Sequence, residues 1–423
     1  MVRLTRHCFP WFWDALDAVE NPREDPHYAL RQVLGLGVLM FACRIRSLRA
    51  LDRVSDDARF LANWCTFTRA KTDTVVCSHQ MTNVLAQTDW EELGRMCVRA
   101  IKDLVRHKQL EPTRLLGHVM MVSDGSGIFA SSEFHCERCL TQHHQDGSVT
   151  YLHNVLELKV VGWNGWAFSV MTEPQLNPED GHYDKQDCET KAFLRMLPRL
   201  KEAFPREPIV HLLDSLYCNG PMFRAIEDVA HKFICVFKPG SIPTLYEEAM
   251  TLLTLSPHNT LKQTLRREGH QVTRVYRWVN DLEHQGVRLA FVMCQETVNG
   301  ATSIFAFLTN FVVDRDNVII IADGGRLRWK IENEGFNEQK TGYALEHFCD
   351  CKDLNVMLGL YVLLQIAHML MQLLARSNLI APVPTLTFLA ARLLEDLRNA
   401  VLPETLFAPH PPRMQVRFAK APP

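Results

Sequence analysis

The sequence predicts an α/β protein in which a helical N-terminal region precedes a mixed β-sheet. Apolar residues recur at helical spacing in the first part of the chain, and strand-like segments rich in Val, Leu, Phe and Tyr follow. Helices and strands then alternate. The chain has 423 residues, 47% hydrophobic and 22% charged, so it can bury a large core without disulfide bridges.

A helical N-terminal domain is expected over residues 1–112. Residues 28–41 and 90–105 carry apolar stripes at helical spacing, and Asp89 is placed to cap the second of these helices. The formal net charge is only −2, yet arginines accumulate in this region. A solvated surface and a DNA-binding surface both explain this arginine cluster, which comprises Arg44, Arg46, Arg49, Arg53, Arg59 and Arg69.

Residues 113–376 are predicted to form one α/β domain. Three successive strands, expected to be antiparallel, are followed by a helix, a strand, a helix and a strand. This order is that of the RNase H-like fold, whereas a doubly wound nucleotide-binding sheet would alternate from the start. The predicted elements span 117–129, 149–162, 166–172, 187–204, 208–213, 221–231 and 233–237.

A β-rich insertion is expected over residues 241–315. Its strands are predicted at 272–279, 287–297 and 304–310, with turns at 281–286 and at Asn299-Gly300. Helices are predicted over 326–340 and 354–376, and polar residues within the second favour a buried helix over a membrane span. Residues 377–423 are expected to form a C-terminal helix and a loose proline-rich tail.

The cysteines bear on the compartment and on metal binding. There are 13 of them, and no N-terminal secretion signal is visible, so we expect reduced thiols in the cytoplasm. Cys136-Glu137-Arg138-Cys139 has the spacing of half a zinc site, which His143 and His144, or His347, Cys349 and Cys351, could complete. A structural zinc is the less favoured interpretation, and reduced cysteines beside a hairpin are the favoured one.

Three acidic residues are candidates for a catalytic metal site. Asp124 interrupts an apolar strand, Asp214 ends a buried strand, and Glu332 shares a helix face with Arg328. Each also has an ordinary role available, as a turn residue, a helix cap or a surface ion pair. Together they match two Mg²⁺ (or Mn²⁺) ions acting on a phosphodiester, because those ions prefer carboxylate oxygens.

The sequence resembles the insertion-sequence DDE transposases, in the group with a Tyr-Arg-Glu-Lys signature. The most specific stretch runs from Arg328 through Glu332 to Asn337 and on to Lys340 and Tyr343. Four shorter stretches also match the family. They are Asp124-Gly125, Asp214-Ser215-Leu216-Tyr217, Lys185-Gln186-Asp187-Cys188-Glu189 and Phe307-Leu308-Thr309-Asn310.

The resemblance implies a catalytic and metal-binding triad of Asp124, Asp214 and Glu332. It implies metal-dependent cleavage and strand transfer at the inverted-repeat ends of an insertion sequence, by a dimer on double-stranded DNA within the nucleoid. The N-terminal helices would bind the terminal repeats. Residues expected to contact phosphate or line the DNA channel are Arg328, Lys330, Lys340, Asn310 and Lys238.

Two positions depart from the family pattern. Gly325 stands where the family has Tyr, and Gln339 stands where it has Lys, with Lys340 one step later. One step turns a helix by about 100°, so Lys340 needs a local irregularity or a different phosphate contact. The departures motivate a second hypothesis, a catalytically impaired relic that only binds DNA. A third is a nuclease of the same fold without strand transfer.

Two acids near the start of the helix predicted over 187–204 are further candidates. Asp187 and Glu189 lie where RNase H-like nucleases can add a carboxylate to the metal site. An acid that favours the helix dipole is the preferred interpretation.

Overall fold

The structure is a computed structural model and describes the chain except residues 21–22, 25, 70, 268, 344, 346–352, 383–384, 403–415 and 419–423. The N-terminal part is helical, as predicted. Its helices are α1 (Val2–Cys8), α2 (Phe12–Asp17), α3 (Leu30–Ala42), α4 (Leu48–Ser55), α5 (Ala58–Thr68), α6 (Ser78–Ala86) and α7 (Trp90–Arg106). Asp89 caps α7 by accepting the Glu91 N–H at 2.8 Å.

The predicted alternation of strands and helices follows. The three strands expected to be antiparallel are present, and an unpredicted strand of four residues lies between the first two. The elements are β1 (Val119–Ser131), β2 (Leu140–His143), β3 (Val149–Val161), β4 (Ala167–Gln175), α8 (Glu189–Ala203), β5 (Ile209–Leu213), α9 (Gly220–Asp228) and β6 (Lys232–Val236).

The segment predicted as a β-rich insertion also contains a helix and a fourth strand that the sequence did not reveal. Its elements are α10 (Pro243–Leu255), β7 (Thr260–Arg267), β8 (His270–His284), β9 (Val287–Val298) and β10 (Ala301–Thr309). The predicted turn over 281–286 is too long. β8 continues through a bulge at Asp281, and only Gln285 and Gly286 turn the chain, both at positive φ.

The C-terminal part of the domain is helical. It comprises α11 (Val318–Arg326), a π-helix (Ile331–Phe336), α12 (Asn337–Tyr343), α13 (Leu354–Ala375) and α14 (Leu386–Asn399). The helix predicted over 326–340 is present but shifted and irregular, because α11 ends at Arg326 and the helical segment that follows begins at residue 329 and has the π-helix at its centre. Most of the proline-rich tail lies outside the described residues.

The ten strands found in the described part of the chain join one mixed sheet in the order β2-β3-β1-β5-β6-β10-β9-β8-β7, and β4 pairs with β3. β1 is antiparallel to β3 and parallel to β5, and β5 is parallel to β6. β10 pairs antiparallel with β6, so the insertion extends the same sheet. Parallel pairing places the C-terminal ends of β5 and β6 at one edge.

The central helix α13 joins the N-terminal helices to the sheet. It packs against α3, α6, α7 and β4, so the apolar core is continuous across them. Among the described residues, α13 alone is long and apolar enough to cross a membrane, with a mean hydropathy of 1.7. However, 89% of its most apolar window is buried inside the protein, as expected for a core helix.

Candidate active site

Asp124 and Asp214 lie side by side on neighbouring parallel strands. Asp124 is within β1, and Asp214 follows the last residue of β5. Val122 is paired with Leu212, so each acid stands two residues beyond that pair, on strands about 4.8 Å apart. The Asp214 carboxylate also accepts the Leu216 N–H at 2.8 Å, which fixes its orientation at the strand end.

Glu332 reaches the same place from the π-helix, which packs against β1. Burial raises the pKa of Asp124, and the negative charges of Asp214 and Glu332 raise it further, whereas Arg328 opposes the rise. The Asp214 and Glu332 carboxylates therefore lie within electrostatic range of Asp124. Negative charge concentrated in a partly buried site needs a counter-charge, and divalent cations supply one.

Glu189 is a fourth carboxylate in this cluster. It is the first residue of α8, and its pKa is raised by burial and then by the charges of Asp124 and Asp214. The buried Tyr217 hydroxyl donates to Glu189 Oε2 at 3.3 Å. The sequence alone favours a helix-dipole role for Glu189, and the structure adds this contact with the acids. Asp187 instead pairs with Arg195 at 2.7 Å.

Gly125 makes room for Glu189. A Cβ atom built on Gly125 would lie 2.0 Å from Glu189 Oε1 and 2.7 Å from its Cδ. Any side chain at position 125 would therefore displace the carboxylate. The Asp-Gly pair, which in sequence suggests a hairpin turn, lies inside β1, and its glycine admits the fourth acid.

Arg328 is a cation that faces the acids. Its Nη1 lies 3.9 Å from Asp124 Oδ2, too far for a hydrogen bond. Its buried Nε has no hydrogen-bond partner among the described residues. A guanidinium with an unused donor beside a carboxylate cluster is suited to binding a phosphate oxygen.

The other predicted cations differ in how accessible they are. Lys238 is exposed two residues beyond β6, at the same sheet edge as Asp214. Lys330 forms an ion pair with Glu334 on the next helical turn, and Arg326 pairs with Glu296 at 2.8 Å. The charges of Arg326 and Lys330 are therefore partly neutralised, whereas Arg328 faces Asp124.

The π-helix affects the direction of Lys340, which stands one residue later than the lysine of the family pattern. Gln339, at the family's Lys position, is fully buried and exchanges hydrogen bonds with Gln365 at 2.8 and 3.1 Å. Lys340 is exposed. A π-turn accommodates one extra residue, so a residue eight positions after Glu332 takes the direction that position seven has in a regular helix. The irregularity that Lys340 requires is thus present.

Gly325 is required by close packing between α11 and the sheet. A Cβ atom there would lie 2.5 Å from the Phe307 ring and 3.0 Å from Ile234 Cγ2. The family's Tyr has no space at this position, so the glycine satisfies a steric requirement of this chain.

Asn310 does not lie in the site. Its Oδ1 accepts the Phe233 N–H at 3.0 Å, and its Nδ2 donates to the His231 carbonyl at 3.2 Å. These bonds fix the end of β10 to the start of β6, the opposite end of that strand from Lys238. Because both side-chain atoms are used there, the predicted role of Asn310 in a DNA channel is withdrawn.

The Cys-x-x-Cys segment meets a histidine that the sequence pattern did not associate with it. Cys136 and Cys139 contact His153 of β3, rather than His143 or His144. The predicted partners His347, Cys349 and Cys351 lie outside the described residues.

Comparison of the sequence with models of known protein families gave no match, and comparison with curated proteins gave no significant match.

Proposed function

We propose that this chain is a DDE transposase that cleaves and joins DNA at the ends of an insertion sequence. The observation that carries the proposal is that Asp124 and Asp214 stand side by side on paired strands, with Glu189 against Gly125 and the π-helix of Glu332 packed on β1. The strand order β4-β3-β1-β5-β6, with the first three antiparallel, is the order expected of an RNase H-like core. The resemblance around Arg328 to Tyr343 favours a transposase over other nucleases of that fold.

The carboxylates fit Mg²⁺ or Mn²⁺. Their oxygens come from separate elements, which suits hard cations, and no thiol or imidazole ligand is needed. Asp124, Asp214 and Glu332 would hold two ions, and Glu189 would add a carboxylate on the Asp124 side. When bound, such ions activate an attacking oxygen and stabilise a leaving oxygen of a phosphodiester.

The remaining residues bind and orient DNA. Arg328 offers its unused Nε to the scissile phosphate, and Lys340 and Lys238 bind neighbouring phosphates. Tyr217 holds Glu189 in place through its hydroxyl. Burial and the neighbouring acids raise the pKa of Tyr217, so this hydroxyl stays protonated and remains a donor.

The N-terminal helices are proposed to bind the terminal repeats within a dimer. Arg49, Arg53 and Arg59 are exposed, as phosphate contacts require. Arg44 has a different role, because it pairs with Glu338 of α12 at 2.7 Å and lies over the Tyr343 ring. It joins the N-terminal helices to the helices that carry Glu332 and Lys340.

The test uses the DNA that flanks the gene, where inverted repeats should occur. Duplexes ending in those repeats are incubated with the protein, Mg²⁺ and a target plasmid. We expect cleavage at the repeat end and joined products, both abolished in Asp124→Asn and Asp214→Asn while binding persists. Because the charged form of Asp124 is disfavoured in the fold, Asp124→Asn should keep or raise the melting temperature.

The outcomes separate the alternatives. Binding without cleavage would replace the proposal with the DNA-binding relic, and cleavage without joining would replace it with a nuclease. The two departures from the family pattern that motivate the DNA-binding relic each have a structural explanation. Gly325 is required by its contact with Phe307, and the π-helix precedes the displaced Lys340. Cleavage retained in Asp124→Asn would overturn the assignment of the site.

A further inference from the structure

A second group of ligand-type side chains lies away from the carboxylates. Cys136 and Cys139 lie in the connection between β1 and β2, and His153 lies on β3 opposite Phe129. The two Sγ atoms are 3.7 Å apart, and His153 Nε2 is 3.3 Å from each of them. Asp124 is paired with Glu157, four residues from His153 along β3, so the group stands about 13 Å from the acids.

These separations match the edges of a zinc coordination tetrahedron. With Zn–S bonds of about 2.3 Å and a Zn–N bond of about 2.0–2.1 Å, tetrahedral angles place sulfurs about 3.8 Å apart and sulfur about 3.6 Å from nitrogen. The observed S–S separation agrees within about 0.1 Å and the S–N separations within about 0.3 Å. A zinc ion therefore fits between the three atoms.

A disulfide bond and simple hydrogen bonding both fit the triangle of ligand atoms less well than a metal ion does. A disulfide would bring the sulfurs to about 2.05 Å and would not involve the imidazole. Hydrogen bonding is also insufficient, because Nε2 of a neutral imidazole has one lone pair and cannot accept strongly from two thiols. A central cation satisfies all three atoms together.

The surrounding contacts hold the ligands in place. The Cys136 N–H donates to Cys139 Sγ at 3.3 Å, a contact within the Cys-x-x-Cys segment itself. Asn177 Nδ2 donates to the Cys139 carbonyl at 2.8 Å, and its N–H donates to the Arg138 carbonyl. Cys139 and His153 are buried, whereas Cys136 is exposed.

We propose that Cys136, Cys139 and His153 bind one zinc ion, with water as the fourth ligand on the exposed side of Cys136. Among the described residues, no further His, Cys, Asp or Glu joins the group. The ion would fix the β1–β2 connection to β3. This inference does not depend on the proposed transposase activity, because its ligands are separate from the acids.

Zinc content and cobalt spectroscopy test the proposal. Protein purified without chelator should contain about one zinc per chain. The Co²⁺ form should show thiolate-to-cobalt charge transfer and the visible bands of tetrahedral cobalt. Cys136→Ser should lower zinc content about tenfold or more, while Cys188→Ser, which changes another exposed cysteine, should not.

Further measurements establish where the zinc is bound and cover the case in which the cysteine variant does not fold. The Asp124→Asn, Asp214→Asn double variant should retain its zinc, which excludes binding at the carboxylates. If Cys136→Ser fails to fold, the cobalt spectrum of the unaltered protein still decides. Absence of thiolate bands, zinc well below one equivalent after zinc supplementation, or a Cys136–Cys139 disulfide by mass spectrometry would each overturn the proposal.

Discussion

Replacing Gly125 by alanine tests whether the position of Glu189 matters to the chemistry. The new Cβ atom would lie 2.0 Å from Glu189 Oε1, whereas such atoms essentially never approach closer than 3.0 Å. The carboxylate must therefore move by about 1 Å or more. Because the contact is with the end of a flexible side chain, the move is inexpensive for the fold.

The expected effect is large on activity and small on stability. Mg²⁺ holds its ligands at about 2.0–2.1 Å with strict geometry, so a shift of about 1 Å removes an oxygen from coordination. A misplacement of that size at a reacting centre costs about 10²-fold in rate. The free energy of unfolding should change by less than about 1 kcal/mol, since the clash is with the end of a flexible side chain and not with the backbone.

Single-turnover cleavage of repeat-end duplexes and urea denaturation measure the two effects. Gly127→Ala is the matched control, because its Cβ would meet only Asn154 Oδ1, at 3.4 Å. Glu189→Gln should reproduce the loss, and the double variant with Gly125→Ala should be no worse than either single variant. Full activity in Gly125→Ala, or additive losses in the double variant, would refute a role for Glu189.

Three further predictions concern the departures from the family pattern and an internal ion pair. Gly325→Ala should destabilise the protein by about 1–3 kcal/mol in urea denaturation, because the new Cβ atom overpacks against Phe307. Phe307→Leu should partly restore the stability. Unchanged stability in Gly325→Ala would contradict the steric requirement for glycine. Gln339→Lys should lower the free energy of unfolding by about 3 kcal/mol or more, because it buries a cation near Lys159, whose Nζ already donates to Gln365. Lys340→Ala should instead weaken DNA binding at nearly unchanged stability. The reverse pattern would mean that the π-helix does not redirect Lys340. Glu296→Gln should destabilise at pH 7, because hydrogen bonds and charges from Arg326 and Arg274 lower the pKa of Glu296 from 4.5 to about 2. That stabilisation is fully present above pH 4.5 and is lost as the pH falls through about 2, so melting temperatures of the two proteins should converge there.

The strands and helices with strong apolar periodicity could be predicted from the sequence, and weaker ones could not. β1, β3 and β9 carry many apolar β-formers, and α7 has a marked apolar stripe after its Asp89 cap. By contrast, β7 has the sequence TLKQTLRR, whose two leucines are four residues apart and suit a helix equally well. β2 spans only four residues, too few for a pattern.

The residues of the candidate site also divide into those that the sequence reveals and those that it does not. Asp124 and Asp214 could be chosen as candidates because one interrupts an apolar strand and the other ends a buried strand, whereas Glu332 depended on its helix face beside Arg328 and on the resemblance. The sequence does not reveal the place of Glu189, because its approach to Asp124 depends on the space above Gly125, which no local pattern encodes. The π-helix changes hydrogen bonding without changing composition, so its only trace was the one-residue displacement of Lys340.

Sequence distance is also a poor guide to the histidine that meets Cys136 and Cys139. His143 and His144 are closer to Cys139 along the chain, but His153 reaches it because β3 folds back beside β1. Asn310 matched the family in sequence, yet its amide is used to join β6 and β10. In both cases strand pairing, rather than residue type, decides which groups meet.

Anomalous scattering from crystals soaked in Mn²⁺ would show directly whether the carboxylate cluster binds divalent metal. We expect manganese peaks between Asp124 and Asp214, with Glu332 and Glu189 as neighbours, and loss of those peaks in the Asp124→Asn, Asp214→Asn double variant. Saturating Mn²⁺ that leaves this cluster empty, or that binds only elsewhere on the chain, would contradict the proposed metal site and the nuclease chemistry built on it.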